Sequence, residues 1–94
     1  LPSYTEVTNT SYGFSSGISL TTTRERQTSD YSRATGTWMS IDSQYYGNAW
    51  WWLRSPYYNN ASYARIICNA GIIYHDYSVN LTNGGVVPAL KIQL

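Results

Sequence analysis

Asn48-Ala49-Trp50-Trp51-Trp52-Leu53-Arg54-Ser55-Pro56 sets three consecutive tryptophans between two small or polar residues and a Leu-Arg-Ser-Pro exit. Consecutive residues of a strand point to opposite faces, so the run predicts a strand whose alternate rings enter a core. Each buried aromatic removes roughly 150–250 Å² from water, a large share for a small domain. In a chain short of Leu and Phe, at least two of the three rings must build that core. Trp50 and Trp52 are assigned to it. Trp51 stays open between core and an exposed sugar-stacking platform.

On either side the hydrophobic period is also two. Trp38 to Ile41, Tyr63 to Cys68, Gly71 to Tyr74 and Ala89 to Leu94 read as further short strands, punctuated by Gly, Asn or Pro. Trp50–Leu53 and Ala89–Leu94 are the most apolar and are expected to be central. The N-terminal third is different. Leu1-Pro2-Ser3-Tyr4-Thr5-Glu6-Val7 carries a capping box, Ser3 with Glu6, that opens a short helix. Residues 15–27 read as a Ser/Thr/Gly loop with room for one strand and with the charged run Arg24-Glu25-Arg26. Thr28 to Gly36 reads as a second short helix, capped by Thr28 or Ser29 and closed by a left-handed Gly36. Two short helices followed by short strands predict one small α+β domain over residues 1–94, with a small, mainly antiparallel sheet. The expected framework is Trp38, Trp50, Trp52, Leu53, Ile66, Ala89, Leu90 and Ile92.

Charge excludes several functions. The net charge is +1, only 12% of residues are charged, and the basic residues are scattered. No basic patch serves a phosphate backbone, so nucleic acid is not an expected partner. No apolar run approaches the ~20 residues that cross a bilayer, and no membrane insertion is expected. A lone cysteine, Cys68, excludes an internal disulfide and a multi-cysteine zinc site, and its apolar run predicts a buried inert thiol. The chain opens at Leu1-Pro2-Ser3 without methionine and reads as the C-terminal part of a longer protein.

Catalytic patterns are thin. Gly13-Phe14-Ser15-Ser16-Gly17 matches a nucleophile elbow but lacks the strand–turn–helix setting that such a serine needs. His75, the single histidine, reads as a loop-tip contact residue, and His75-Asp76 falls short of the three or four ligands a metal wants. Neither a metal nor any other cofactor is expected, nor is catalysis. Three Asn-x-Ser/Thr matches, at Asn9, Asn60 and Asn80, are of a kind that arises by chance in such a composition.

Leu1 to Glu6, Thr28 to Gly36, Trp51 to Pro56 and Gly85-Val86-Val87-Pro88-Ala89-Leu90 together resemble an uncharacterised bacterial and phage domain family. That family opens on Leu-Pro-Ser with a Glu, continues with a Thr-Asp-Tyr-Ala helix and a Trp-Trp-Leu-Arg-Ser-Pro strand, and closes on Gly-Val-Arg-Pro-Ala-Leu. Val87 stands where the closing block has Arg, which leaves that arginine's partner in doubt. The resemblance extends to C-type-lectin-like domains, among them formylglycine-generating enzymes and the variable proteins of diversity-generating retroelements. The enzyme branch works through cysteines, and a single Cys in a strand does not fit it. The Glu-Pro-Asn type of motif of calcium-dependent lectins is absent, so calcium is not implied.

The retroelement branch implies a reason for the contrast between the apolar run Trp50–Leu53 and the polar residues 57–83. Those systems randomise adenines, typically in AAC codons, which cannot then become Lys, Glu, Gln, Met or Trp. Residues 57–83 contain none of these five types, whereas the other 67 positions contain eleven. A polar sheet edge that simply favours Tyr, Asn and Ser is the alternative source of the gap. Ten tyrosines among abundant Ser and Asn also suit an adaptable binding surface, because Tyr offers large amphipathic area at low entropic cost.

The expected function is target recognition, with Tyr57, Tyr58, Asn59, Asn60, Ser62, Tyr63, Asn69, Tyr74, His75, Asp76, Tyr77 and Asn80 as the contact face. Tyr57, Tyr58, Tyr74, His75 and Tyr77 are expected to share one solvent-facing patch. The implied partner is a protein or glycan on a cell surface, and the implied setting is extracellular, on a cell or a virion. An oligomer is compatible with this reading. The competing reading is a fixed-sequence structural or adhesion module of a phage or bacterial surface protein.

Overall fold

The computed structural model describes residues 1–57 and 61–90. Helix α1 (Tyr4–Val7) starts where its capping box dictates. The Glu6 amide donates to Ser3 Oγ at 3.2 Å, and the Ser3 amide donates back to Glu6 Oε1 at 2.9 Å. Two 3₁₀ turns, Thr10–Tyr12 and Thr22–Arg24, lead to the two-residue strand β1 (Arg26–Gln27). Helix α2 (Asp30–Ala34) is capped by Ser29, whose Oγ accepts from the Ser32 amide at 3.1 Å. It gives out at Gly36, whose φ of +110° is open to glycine.

Strand β2 (Asn48–Ala49) pairs antiparallel with β1. The second sheet is antiparallel, in the order β3 (Trp51–Pro56), β4 (Tyr63–Ile67), β5 (Ile73–Ser78). The free edge of β3 is covered by both ends of the described chain. Gly85 donates to the Trp50 carbonyl at 2.8 Å and accepts from the Trp52 amide at 3.1 Å, and the Arg54 amide donates to the Pro2 carbonyl at 2.9 Å. Beside it, Arg54 pairs with the Glu6 carboxylate. The bond from the Ser3 amide and the Arg54 guanidinium together hold that carboxyl below the usual carboxylate range.

Both faces of this sheet are covered, and the tryptophan run divides between them. Trp51 and Leu53 join Val7, Ile67 and Ile73 on one side, with Tyr4, Phe14 and Val87 packed against them. Trp50 lies on the other with Ile66, Cys68 and Ala70, flanked by Tyr45, Trp52, Ile72 and Tyr77. Strand parity places Trp50 and Trp52 together, as expected. The depth is reversed, because Trp51 is 1% exposed and Trp52 only half-buried. Trp51 is the central framework ring. Its indole Nε1 donates to the Arg24 carbonyl at 3.1 Å.

Arg24 is a further departure. Read as part of a charged loop, it is 1% exposed. Its guanidinium donates to the carbonyls of Gly71 (2.8 Å), Ser15 (2.9 Å), Ser19 (2.8 Å) and Val7 (3.4 Å). Removal from water pulls its pKa below the ordinary guanidinium value. A buried cation is tolerable only with its donors satisfied, and the planar five-donor fork meets four carbonyls, from the end of α1, from the loop after it, and from the β4–β5 turn. Arg24 thereby ties the irregular N-terminal third to the sheet.

Three of the expected strands are corrected. Trp38 to Ile41 is not a strand: the Trp38 and Ser40 amides bond singly to Asn83 and Asn48, so no ladder continues. Trp38 is 39% exposed and Ile41 82%, which removes Trp38 from the framework. The segment placed at Gly71 to Tyr74 forms its strand later, over Ile73–Ser78. Ala89 and Leu90 are irregular and exposed, Leu90 at 84%, because Pro2 already occupies the β3 edge beyond Gly85. Ile92 lies outside the described residues. Trp50, Leu53, Ile66 and Cys68 are buried as expected.

Candidate binding surface

The register of β5 determines what its side chains can do together. Ile67 opposes Ile73 and Ile66 opposes Tyr74, but Ala64 opposes Tyr77 and Tyr63 opposes Ser78. One extra β5 residue therefore sits between Tyr74 and Tyr77, opposite Arg65. Residues three apart in a regular strand face opposite ways, whereas a one-residue bulge restores them to the same side. Tyr74 and Tyr77 accordingly stack, with ring centroids 6.2 Å apart and planes at 20°. Tyr77 meets Trp50 edge-on at 5.0 Å, and Trp50 meets Trp52 likewise at 5.0 Å. Burial, with smaller contributions from Cys68, Tyr74 and Asp76, raises the Tyr77 hydroxyl above the ordinary phenol range.

A separate group gathers near the β3–β4 connection. Tyr57 lies 4.9 Å from His75 and 6.2 Å from Tyr63, centroid to centroid. Tyr63 alternates with Arg65 and Ile67 along β4, which places it on the Trp51 side of the sheet. Arg65 covers the Tyr4 ring at 4.5 Å on that same side.

The single patch expected of Tyr57, Tyr74, His75 and Tyr77 is therefore replaced by two groups, one toward each side of the sheet. Strand alternation already separates Tyr74 from His75, and the bulge moves Tyr77 from His75's side to Tyr74's. His75 also lies within β5, not in a loop tip. Tyr58, Asn59 and Asn60 lie outside the described residues.

The remaining predicted contacts are mixed. Asp76 and Ser62 are exposed. Asn80 is exposed and its Oδ1 accepts from Ser78 Oγ at 2.6 Å. Asn69 is anchored inward: its Nδ2 donates to Ser40 Oγ at 3.1 Å, and its backbone carbonyl accepts from Asn48 Nδ2 at 2.9 Å.

Asn69 and Tyr77 nevertheless meet at a cleft of about 290 Å³, together with Trp38, Trp50, Cys68, Leu81 and Asn83. Trp38, Leu81 and Asn83 were not among the expected contacts. Trp38 carried a usable signal, as a lone large ring in a polar run. Leu81 and Asn83 carried none, because their position depends on the Trp38 amide bonding to the Asn83 carbonyl at 2.9 Å. Gly84 packs against the rings behind it, since a Cβ there would lie 2.6 Å from Trp50 and Trp52. A larger hollow, about 1080 Å³, lies between Leu1–Pro2 and Val87–Leu90 and holds none of the expected contacts.

Ser15 shares hydrogen bonds with Thr21 and Thr23, at 2.8 and 3.2 Å, and so serves the loop that Arg24 ties down. Among the described residues, no group of three or more His, Cys, Asp or Glu could hold a metal ion. No helix among them is long and apolar enough to cross a membrane.

These elements define a small α+β domain, with two short helices and two small antiparallel sheets among the described residues. The chain belongs to the family described as a domain of unknown function, DUF6273, whose model matches residues 1–94. No match is found among curated proteins or among solved structures.

Proposed function

We propose that the chain is a target-recognition module on a C-type-lectin-like framework, with a Tyr/Asn/Ser-rich surface diversified by a retroelement. The observation that carries this reading is the contrast between the two sides of the sheet. The Trp51 ring is 1% exposed at the back of the larger hollow, whereas the Trp50 side presents Tyr74, Tyr77, Trp38 and Leu81 beside the smaller cleft. Tyr74, Trp38 and Leu81 are 41%, 39% and 42% exposed. Contiguous exposed aromatic and apolar groups of this kind mark interaction sites, and scattered single ones do not.

The composition of residues 57–83 supports diversification, because the five amino-acid types that AAC codons cannot reach are all missing there. The target is a protein or glycan presented at a cell or virion surface. The work is binding: rigid aromatic anchors supply area, and amides and hydroxyls adapt.

Sequencing the locus across a population tests the reading. Substitutions concentrated within 57–83, with none at Trp50 to Leu53 and a template repeat beside a reverse transcriptase, are the expected result. A uniform sequence with no template repeat would return the chain to a fixed-sequence adhesion module.

A further inference from the structure

The cleft beside Trp38 combines features that together select one chemical class of ligand. Among the described residues, its wall holds no Asp, Glu, Lys, Arg or His, so it offers no formal charge to a ligand. The volume of about 290 Å³ lies just below the range of sites for drug-sized molecules, which is room for a single ring. Flat aromatic surface comes from Trp38, Trp50 and Tyr77. Polar groups are interleaved with it: the Trp38 indole N–H, the Tyr77 hydroxyl and the Asn83 carboxamide have no hydrogen-bond partner among the described residues. The Asn69 amide donates to Ser40 through Nδ2, which leaves Oδ1 as an acceptor held in a fixed orientation.

An apolar side chain from a protein partner would cover these donors and acceptors without replacing the water they lose. Each would then be left desolvated and unpaired, which opposes binding. A neutral pyranose meets both demands. Its C–H face lies on an aromatic ring, and its hydroxyls donate and accept around the rim, as the carboxamides and the indole require. The site is also prepared in advance. The Trp38 backbone is held by its amide hydrogen bond to the Asn83 carbonyl, the Asn69 side chain by Ser40 and its carbonyl by Asn48, and the Trp50 ring by its contacts with Trp52 and Tyr77. Little ordering remains to be done when a ligand arrives.

We propose that this cleft binds one neutral hexose unit of a glycan, stacked on Trp38 and hydrogen-bonded by Asn69 and Asn83. The inference rests on the recognition reading above and narrows its target class on the Trp50 side.

The test uses the full chain. Neutral methyl glycosides are titrated while tryptophan fluorescence is followed, and the chain is applied to an array carrying neutral glycans, sialylated glycans and cell-surface proteins. The expected result is a saturable fluorescence change with at least one neutral hexoside and retention on neutral glycans. Trp38→Ala should weaken binding about tenfold, the scale of one lost aromatic contact. Asn83→Ala, which leaves the backbone bond to Trp38 intact, should weaken it severalfold and guards against a folding defect in the first variant. No response to any neutral hexoside would overturn the inference, as would retention on neutral glycans that both variants preserve. Retention on a protein target alone, abolished by Tyr74→Ala and indifferent to Trp38→Ala, would overturn the sugar assignment and leave the recognition reading standing. Retention on nothing would remove both.

Discussion

Trp51 and Trp50 are neighbours in sequence and opposites in circumstance. Trp51 is 1% exposed, its indole N–H is taken by the Arg24 carbonyl, and Val7, Leu53, Ile67 and Ile73 surround it. Trp50 is also buried, yet it forms the floor of an open cleft whose rim contains Trp38 and Tyr77. On the Trp51 side the rings are packed under α1, the loop that Arg24 holds, and Val87, with the larger hollow opening between Leu1–Pro2 and Val87–Leu90. The other side is covered thinly, by aromatic rings and by Gly84. The lesson is that a strand with both faces covered can divide framework from recognition by parity alone. No change of element is needed, only a change of side.

Several substitutions would break that division. Trp51→Ala should have the largest effect, about 3–5 kcal/mol, because it removes core contacts and leaves a cavity. Set against a total on the order of 5–14 kcal/mol for a chain of this length, that loss is severe. Chemical denaturation reads it directly. If the loss were below that of a surface change, Trp51 would not be the framework ring. Arg24→Met comes next, at about 2–3 kcal/mol, because charged donors to several buried carbonyls vanish together. Proteolysis should then open first within residues 15–23. A variant that remains as protease-resistant as the parent would show that the carbonyl cluster holds nothing.

Gly84→Ala sharpens the comparison on the other side. A Cβ 2.6 Å from the Trp50 and Trp52 rings must push them, at about 1–3 kcal/mol, and should change the tryptophan near-ultraviolet dichroism. An unchanged spectrum would mean that Gly84 does not pack on these rings. Glu6→Gln is the mildest change near the framework. The Glu6 pKa is lowered in the folded state, so its contribution is present above the ordinary carboxylate range and is lost as pH falls through the depressed value. The gap in thermal midpoint between parent and variant should therefore be small near neutral pH and close in acid. A gap that persisted through that range would exclude the Ser3 and Arg54 interactions as its source.

How much of the fold was legible in the sequence depended on the range of the interactions. The caps at Ser3 and Ser29 and the left-handed Gly36 were legible, because each depends on residues within one turn. Strands β3 and β4 were legible from alternation. The start of β5 was not, since Gly71 to Tyr74 carries the apolar residues while pairing runs on through the polar His75-Asp76-Tyr77. Alternation along β5 already placed Tyr74 and His75 on opposite faces, and the bulge opposite Arg65, which left no local mark, decided only that Tyr77 joins Tyr74. Arg24 was illegible because its partners include Gly71, 47 residues away. Leu90 misled in the opposite direction: an apolar segment reads as core, but Pro2 occupies the edge that it would have needed.

The central claim is that the two sides of the sheet have different duties, and Trp38→Ala measured beside Trp51→Ala tests it most directly. Both variants remove one indole, so urea denaturation of the pair compares position alone. The account predicts that Trp51→Ala loses several kcal/mol while Trp38→Ala, at a ring 39% exposed on the cleft rim, loses about 0.5–1 kcal/mol. Equal losses would mean that Trp38 is framework after all, and the open side of the sheet would no longer be free for a ligand.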